Sequence, residues 1–136
     1  MSTVLLRCCQ KYKQEQIMRS YCIVGKLKPE CVEEYKEKHK NLHLGKHKEL
    51  LKVIKNSGIK DEKVFIHENM VVIYFEAEDL DKSYQIQGES DVVAKWNEIM
   101  KPLFDNTYDF NENESPFPML EKVFDLNEQL NGKLSK

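Results

Sequence analysis

Short apolar and aromatic runs alternate with helical spacings along this chain. Tyr21-Cys22-Ile23-Val24-Gly25-Lys26-Leu27 is short and rich in aromatic and β-branched types, which predicts a first strand from Ser20 to Leu27. Lys28-Pro29-Glu30 turns the chain, and Glu30, Glu33 and Glu34 suit the positive end of a helix running from about Glu30 through Asn41. Gly45 weakens helix after that, and Leu50, Leu51, Val53 and Ile54 return at helical spacing until Asn56-Ser57-Gly58. One kinked helix or two consecutive ones are expected.

Lys63 to His67 and Met70 to Ala77 are strand-like, and the Glu68-Asn69 connection makes them an antiparallel hairpin. The chain turns helical again after Asp79. Its strongest segment runs from Ser90-Asp91 to Met100, with Val92, Val93, Trp96, Ile99 and Met100 on one face, and stops at Pro102. Residues 106–118 carry loop chemistry, and Met119 to Leu126 reads as a last strand. The order is βαββαβ, an α+β, ferredoxin-like arrangement: a four-stranded antiparallel sheet with two helices on one face. Its other face needs cover, which predicts a homodimer. Residues 1–18 read as an N-terminal extension, 19–126 as the domain and 127–136 as a polar tail.

The length of 136 residues suits one domain. The 21 basic and 23 acidic residues leave a net charge of −2, so there is no basic footprint for nucleic acid. Cys8, Cys9, Cys22 and Cys31 lack the spacing of a zinc site and read as free thiols of a reducing compartment. The apolar start is short and broken by Arg7, and no later run approaches a membrane span. Without a neighbouring membrane signal, acylation of Cys8-Cys9 is disfavoured. These features predict a soluble cytoplasmic protein with no membrane partner.

Candidate chemistry centres on Tyr35 and His39. Four residues is about one helical turn, so both rings leave one face and can meet one small ligand. Histidine titrates near neutrality, and a phenol donates or accepts a hydrogen bond without charge. Most such pairs are simply packed or solvated. His39, His43 and His47 would align in an unbroken helix, but Gly45 interrupts it and the lysines from Lys36 to Lys52 repel a cation, so no metal is expected. Trp96 offers an aromatic wall against sugar C–H groups, although core packing explains most tryptophans. His67 reads as structural or exposed. There is no glycine-rich phosphate loop, no GxSxG elbow and no motif marking a nucleophilic cysteine, which leaves proton transfer as the expected chemistry.

As an ordered set, Arg19, Leu27-Lys28-Pro29, Glu34 to Asn41, Ser57-Gly58-Ile59, Asn69, Val93 to Met100 and Lys122 to Leu126 resemble the L-rhamnose mutarotase family. The resemblance implies a dimeric α+β barrel that interconverts the α and β anomers of L-rhamnose or a related 6-deoxy-hexose, with no cofactor. It places the catalytic histidine on His39, the substrate-binding tyrosine on Tyr35 and a sugar-contacting tryptophan on Trp96. His39 is then the expected main acid/base group, with Tyr35, a second catalytic candidate, or water completing the proton path. Arg19, His43 and Asn69 are further substrate-binding candidates.

Several positions depart from the family's pattern. Asn97 follows Trp96 where bacterial members have a second tryptophan, and Phe117 stands for a later one. His43-Leu44-Gly45-Lys46 reads as an insertion, after which His47 and Lys48 replace Trp and Pro. Aligned from the far side of that insertion, His43 takes the catalytic place and His39 that of the tyrosine. The first alignment is preferred because the Glu-Glu-Tyr lead-in matches. Two other functions stay open: a non-catalytic small-molecule-binding barrel, and a cofactor-free monooxygenase of the same barrel type.

Overall fold

Three antiparallel strands form the platform of the domain: β1 (Arg19–Lys26), β2 (Ile59–His67) and β3 (Met70–Ala77), in the order β1-β3-β2. The computed structural model describes residues 18–108 and 116–132. The expected extension, apart from Met18, lies outside the described residues, as do 109–115 of the expected loop and the end of the tail.

β3 pairs with both neighbours over its full length, Ile73 opposite Ile23 on one side and Val64 on the other. Because side chains alternate, Val71, Ile73, Phe75 and Ala77 share a face with Tyr21, Ile23, Glu62, Val64 and Ile66. Helices cover that face over β1 and β3 and leave it open at the β2 edge, where Glu62 and Val64 are exposed. Val71 and Ala77 are wholly buried, and Phe75 and Ile23 nearly so. The opposite face carries Val72 and Tyr74 and leaves Phe65 57% and Met70 40% exposed.

The first helical region is two α-helices: α1 (Val32–His39), entered through a 3-10 turn at Pro29–Cys31, and α2 (Glu49–Asn56). α1 ends two residues before the expected Asn41, which itself adopts left-handed backbone at φ 56°. A 3-10 turn at Leu42–Leu44 and the bend around Gly45 complete the break. After β3 come α3 (Leu80–Gly88) and α4 (Asp91–Met100). Both start on a side-chain cap, with Asp79 accepting from Lys82 N–H at 3.1 Å and Ser90 Oγ from Val93 N–H at 3.4 Å. Tyr35 from α1, Ile54 from α2, Leu80 from α3 and Met100 from α4 join the core on the covered face.

Two glycines are required by geometry. Gly58 closes α2 at φ 108°, and a Cβ there would meet Ser83 Oγ at 3.1 Å. Ser83 Oγ donates to Ser57 O at 2.8 Å and Gln87 Nε2 to Ser57 Oγ at 3.0 Å, so α3 is tied to the end of α2. In β1, a Cβ on Gly25 would lie 2.9 Å from the Phe117 ring. The missing side chain admits that ring to the core.

The expected fourth strand is the main correction. Met119 forms an isolated antiparallel bridge to Ile23, with Val24 N–H donating to Pro118 O and Leu120 N–H to Cys22 O. Beyond Leu120 the segment leaves the sheet. Lys122 Nζ pairs with Asp125 and Glu128 at 3.0 and 3.1 Å, and Asp125 caps a short helix, α5 (Leu126–Leu130). These local contacts compete with further pairing along β1. The described architecture is therefore an α+β fold with a three-stranded antiparallel sheet and several helices.

Candidate functional site

α1 sets the geometry of the site. Tyr35 is held on its inner face by the core, 3% exposed, with the Phe104 ring edge-on at a centroid distance of 5.6 Å. One turn later His39 overlies Tyr35, with ring centroids 4.1 Å apart and planes inclined by 37°. His39 Nδ1 lies 2.8 Å from Tyr35 O, so Nδ1–H donates to that carbonyl. This bond leaves Nε2 as the basic nitrogen of the neutral ring. Burial lowers the His39 pKa below its ordinary value, partly offset by the bond to the Tyr35 carbonyl, and so favours the neutral ring.

Trp96, from α4, meets His39 edge-to-face at 5.3 Å. His47, in the turn before α2, meets the same indole at 5.5 Å. Between these helices and the covered sheet face lies a cavity of about 190 Å³ lined by Tyr35, His39 and Trp96 with Ile23, Ile73, Phe75, Phe104 and Phe117. Glu62, Tyr84, Gln87 and Asn97 add polar groups to an otherwise apolar wall. An adjoining recess of about 320 Å³ shares His39, Glu62, Val64 and Trp96 and continues past Leu42, Lys55 and Lys60.

Glu62 is exposed along edge strand β2, yet its carboxyl lies at the mouth of both cavities, where the surrounding protein atoms displace part of its hydration. That desolvation raises its carboxyl pKa to about 7. The Tyr35 phenol is raised well above its ordinary range, first by burial and then by the Glu62 charge. At neutral pH the cavity therefore contains a neutral imidazole, a carboxyl divided between acid and carboxylate, and a phenol that remains protonated. Such a set can exchange protons with a bound polyol against apolar walls.

The structure brings Tyr35, His39 and Trp96 together and leaves the other candidates elsewhere. His43 is exposed in the 3-10 turn and lines neither cavity. Arg19 is exposed at the start of β1, opposite Ala77. Asn69, in the β2–β3 turn, donates through Nδ2 to Leu27 O at 2.9 Å, while its own carbonyl accepts from Leu27 N–H at 2.8 Å. His67 pairs on the surface with Glu68. Among the described residues no three His, Cys, Asp or Glu side chains gather as metal ligands.

A model of the L-rhamnose mutarotase family matches residues 20–126. The chain belongs to that family. Its fold is similar to that of an L-rhamnose mutarotase from Formosa agariphila, at a TM-score of 0.60 and 22% identity, covering 79% of this chain and 98% of that one. It is also similar to a conserved protein from Methanosarcina mazei Go1, at a TM-score of 0.53 and 18% identity, covering 82% and 98%. No curated protein matches the chain.

For this family member, Glu62, Tyr84 and Gln87 are the polar cavity residues that sequence reasoning missed. The expected strand began at Lys63, whereas β2 begins at Ile59 and shifts register between Ile59 and Asp61. An available signal was parity: Glu62 stands two and four residues before Val64 and Ile66, the inward apolar positions of the strand.

Proposed function

We propose that the chain is a sugar mutarotase, interconverting the α and β anomers of L-rhamnose or a related 6-deoxy-hexose. The observation that carries this reading is the meeting of Tyr35, His39 and Trp96 in one cavity, with His39 Nδ1 engaged by backbone and Nε2 left as the base. Family membership supports the same reaction class. Ring opening removes the proton of the anomeric hydroxyl and supplies one to the ring oxygen. Reclosure on the other face reverses both transfers, so the chemistry consumes no cofactor. His39 is the main acid/base group, Tyr35 holds a sugar oxygen through its persistent O–H, and Trp96 packs on the apolar side of the sugar.

The working form in this proposal is a cytoplasmic homodimer, with the barrel completed by a second copy. Support comes from the open sheet face with Phe65 and Met70, and from Val123 and Phe124, which stay 83% and 62% exposed after the segment leaves β1. The free thiols of Cys22 and Cys31 suit a reducing compartment. Among the described residues no helix is long and apolar enough to cross a membrane.

NMR saturation exchange between the anomers of L-rhamnose and of L-fucose tests the activity. Acceleration by wild type, lost in His39→Ala and kept in His43→Ala, is the expected result. Loss in His43→Ala alone would keep the reaction and overturn the assignment to His39. No acceleration by folded wild type for either sugar rejects the proposed activity and favours a binding module.

A further inference from the structure

Two protons must move during ring opening, and His39 can handle one of them at a time. The phenol of Tyr35 is a poor second group, because burial and the neighbouring Glu62 charge both hold its proton in place. Gln87 and Asn97 are amides and do not titrate, and Tyr84 is a second phenol, a weaker acid by class than a carboxyl. Glu62 remains. It stands on the same sheet face as buried Phe75 of β3, at the exposed β2 edge of that face, and lines both the cavity and the adjoining recess with His39 and Trp96.

We propose that Glu62 is the second catalytic residue of this cavity, the acid at the ring oxygen while His39 is the base at the anomeric hydroxyl. This rests on the mutarotase reading and deepens it. His39 Nε2 takes the proton of the anomeric O–H, and the freed electron pair forms the C1 carbonyl. The bond from C1 to the ring oxygen breaks toward oxygen, which takes the Glu62 proton. The result is an open-chain aldehyde between an imidazolium and a carboxylate, whose opposite charges stabilise each other in the half-buried cavity. After rotation about C1–C2, the hydroxyl attacks the other face of the carbonyl. Glu62 recovers its proton from that oxygen, and His39 returns the other to the new anomeric hydroxyl. No proton or electron is gained or lost.

Glu62 suits this cycle because its carboxyl, raised to about 7, is partly protonated at neutral pH and can give and retake a proton. The groups facing it are Tyr35 and His39 from α1, Lys55 from α2 and Tyr84 from α3, with Lys60 and Asp61 on its own strand. α4 presents only uncharged groups to the cavity, Val93, Trp96, Asn97 and Met100. The rate should therefore fall at acid pH as His39 is protonated and at alkaline pH as Glu62 ionises.

The test measures anomer exchange of L-rhamnose against pH for wild type, Glu62→Gln and Glu62→Asp, with folding checked by circular dichroism. For Glu62→Gln the expected loss in kcat is about 100-fold or more, with the alkaline fall abolished. Glu62→Asp, which keeps the carboxyl, should retain an alkaline fall, and it decides the matter if the glutamine variant does not fold. A folded Glu62→Gln with kcat within about threefold of wild type, or a Glu62→Asp profile flat above pH ~7, overturns the role of Glu62 while leaving the mutarotase reading standing. No acceleration by wild type overturns both.

Discussion

His39 Nδ1 is hydrogen-bonded to the carbonyl oxygen of Tyr35 one helical turn earlier, at 2.8 Å. A single backbone acceptor thereby selects the tautomer, orients the ring over the Tyr35 phenol and turns the other nitrogen into the base. α1 ends at His39, which places this ring where the helix gives way to the turn before α2.

The first prediction is an acid limb with a known sign. Burial lowers the His39 pKa from 6.5, so the folded chain releases a proton that the unfolded chain still binds below that value. Stability and anomer exchange should both fall as pH drops below about 6.5 and through the folded pKa. His39→Gln should lose the exchange and flatten the stability profile in this window. Thermal melts and exchange rates between pH 5 and 8 would read both, and an unchanged profile would count against the assignment.

Glu62 acts in the opposite direction. Its carboxyl pKa is about 7 in the fold against 4.5 for the free group, so the folded chain binds the extra proton between those values. Its contribution to stability is present at acid pH and is lost as pH rises through about 7. Glu62→Gln cannot ionise and should melt above wild type at pH 8, with the gap closing toward pH 5. Equal gaps at the two values would show that Glu62 is not desolvated.

Asn69 was expected in the sugar site, but its described contacts are structural: its side chain and backbone clamp Leu27, which is 1% exposed. Asn69→Ala leaves the Leu27 carbonyl short of a partner and should cost about 1–3 kcal/mol in urea melts. Activity per folded molecule should stay near wild type. A selective rise in KM without loss of stability would return Asn69 to the site.

Periodicity made most of the fold legible. The hairpin of β2 and β3, the α4 face from Val93 to Met100 and the break near Gly45 follow from local residue chemistry. The last strand did not, because the apolar residues between Met119 and Leu126 suit a strand, whereas the Lys122 ion pairs and the Asp125 cap decide the path of the segment. Of the site, helical spacing exposed the pairing of Tyr35 with His39. It could not show Glu62 beside them, since that proximity depends on the register between strands distant from α1.

Trp96 is the chain's single tryptophan, so its fluorescence reports directly on the cavity. Two imidazoles meet the indole edge-to-face, and a sugar entering beside His39 changes the water and polar groups around it. Titration with L-rhamnose should shift the emission saturably, while a sugar too large for the cavity should leave it unmoved. Trp96→Phe keeps an aromatic surface with less area and should bind more weakly than wild type but more tightly than Trp96→Ala. Removing the ring altogether should weaken binding about tenfold, or ~1.4 kcal/mol, measured by calorimetry because the optical signal is lost with the indole. Equal affinities for all three proteins would place the sugar away from Trp96, and with it the reading of this cavity as the sugar site would fall.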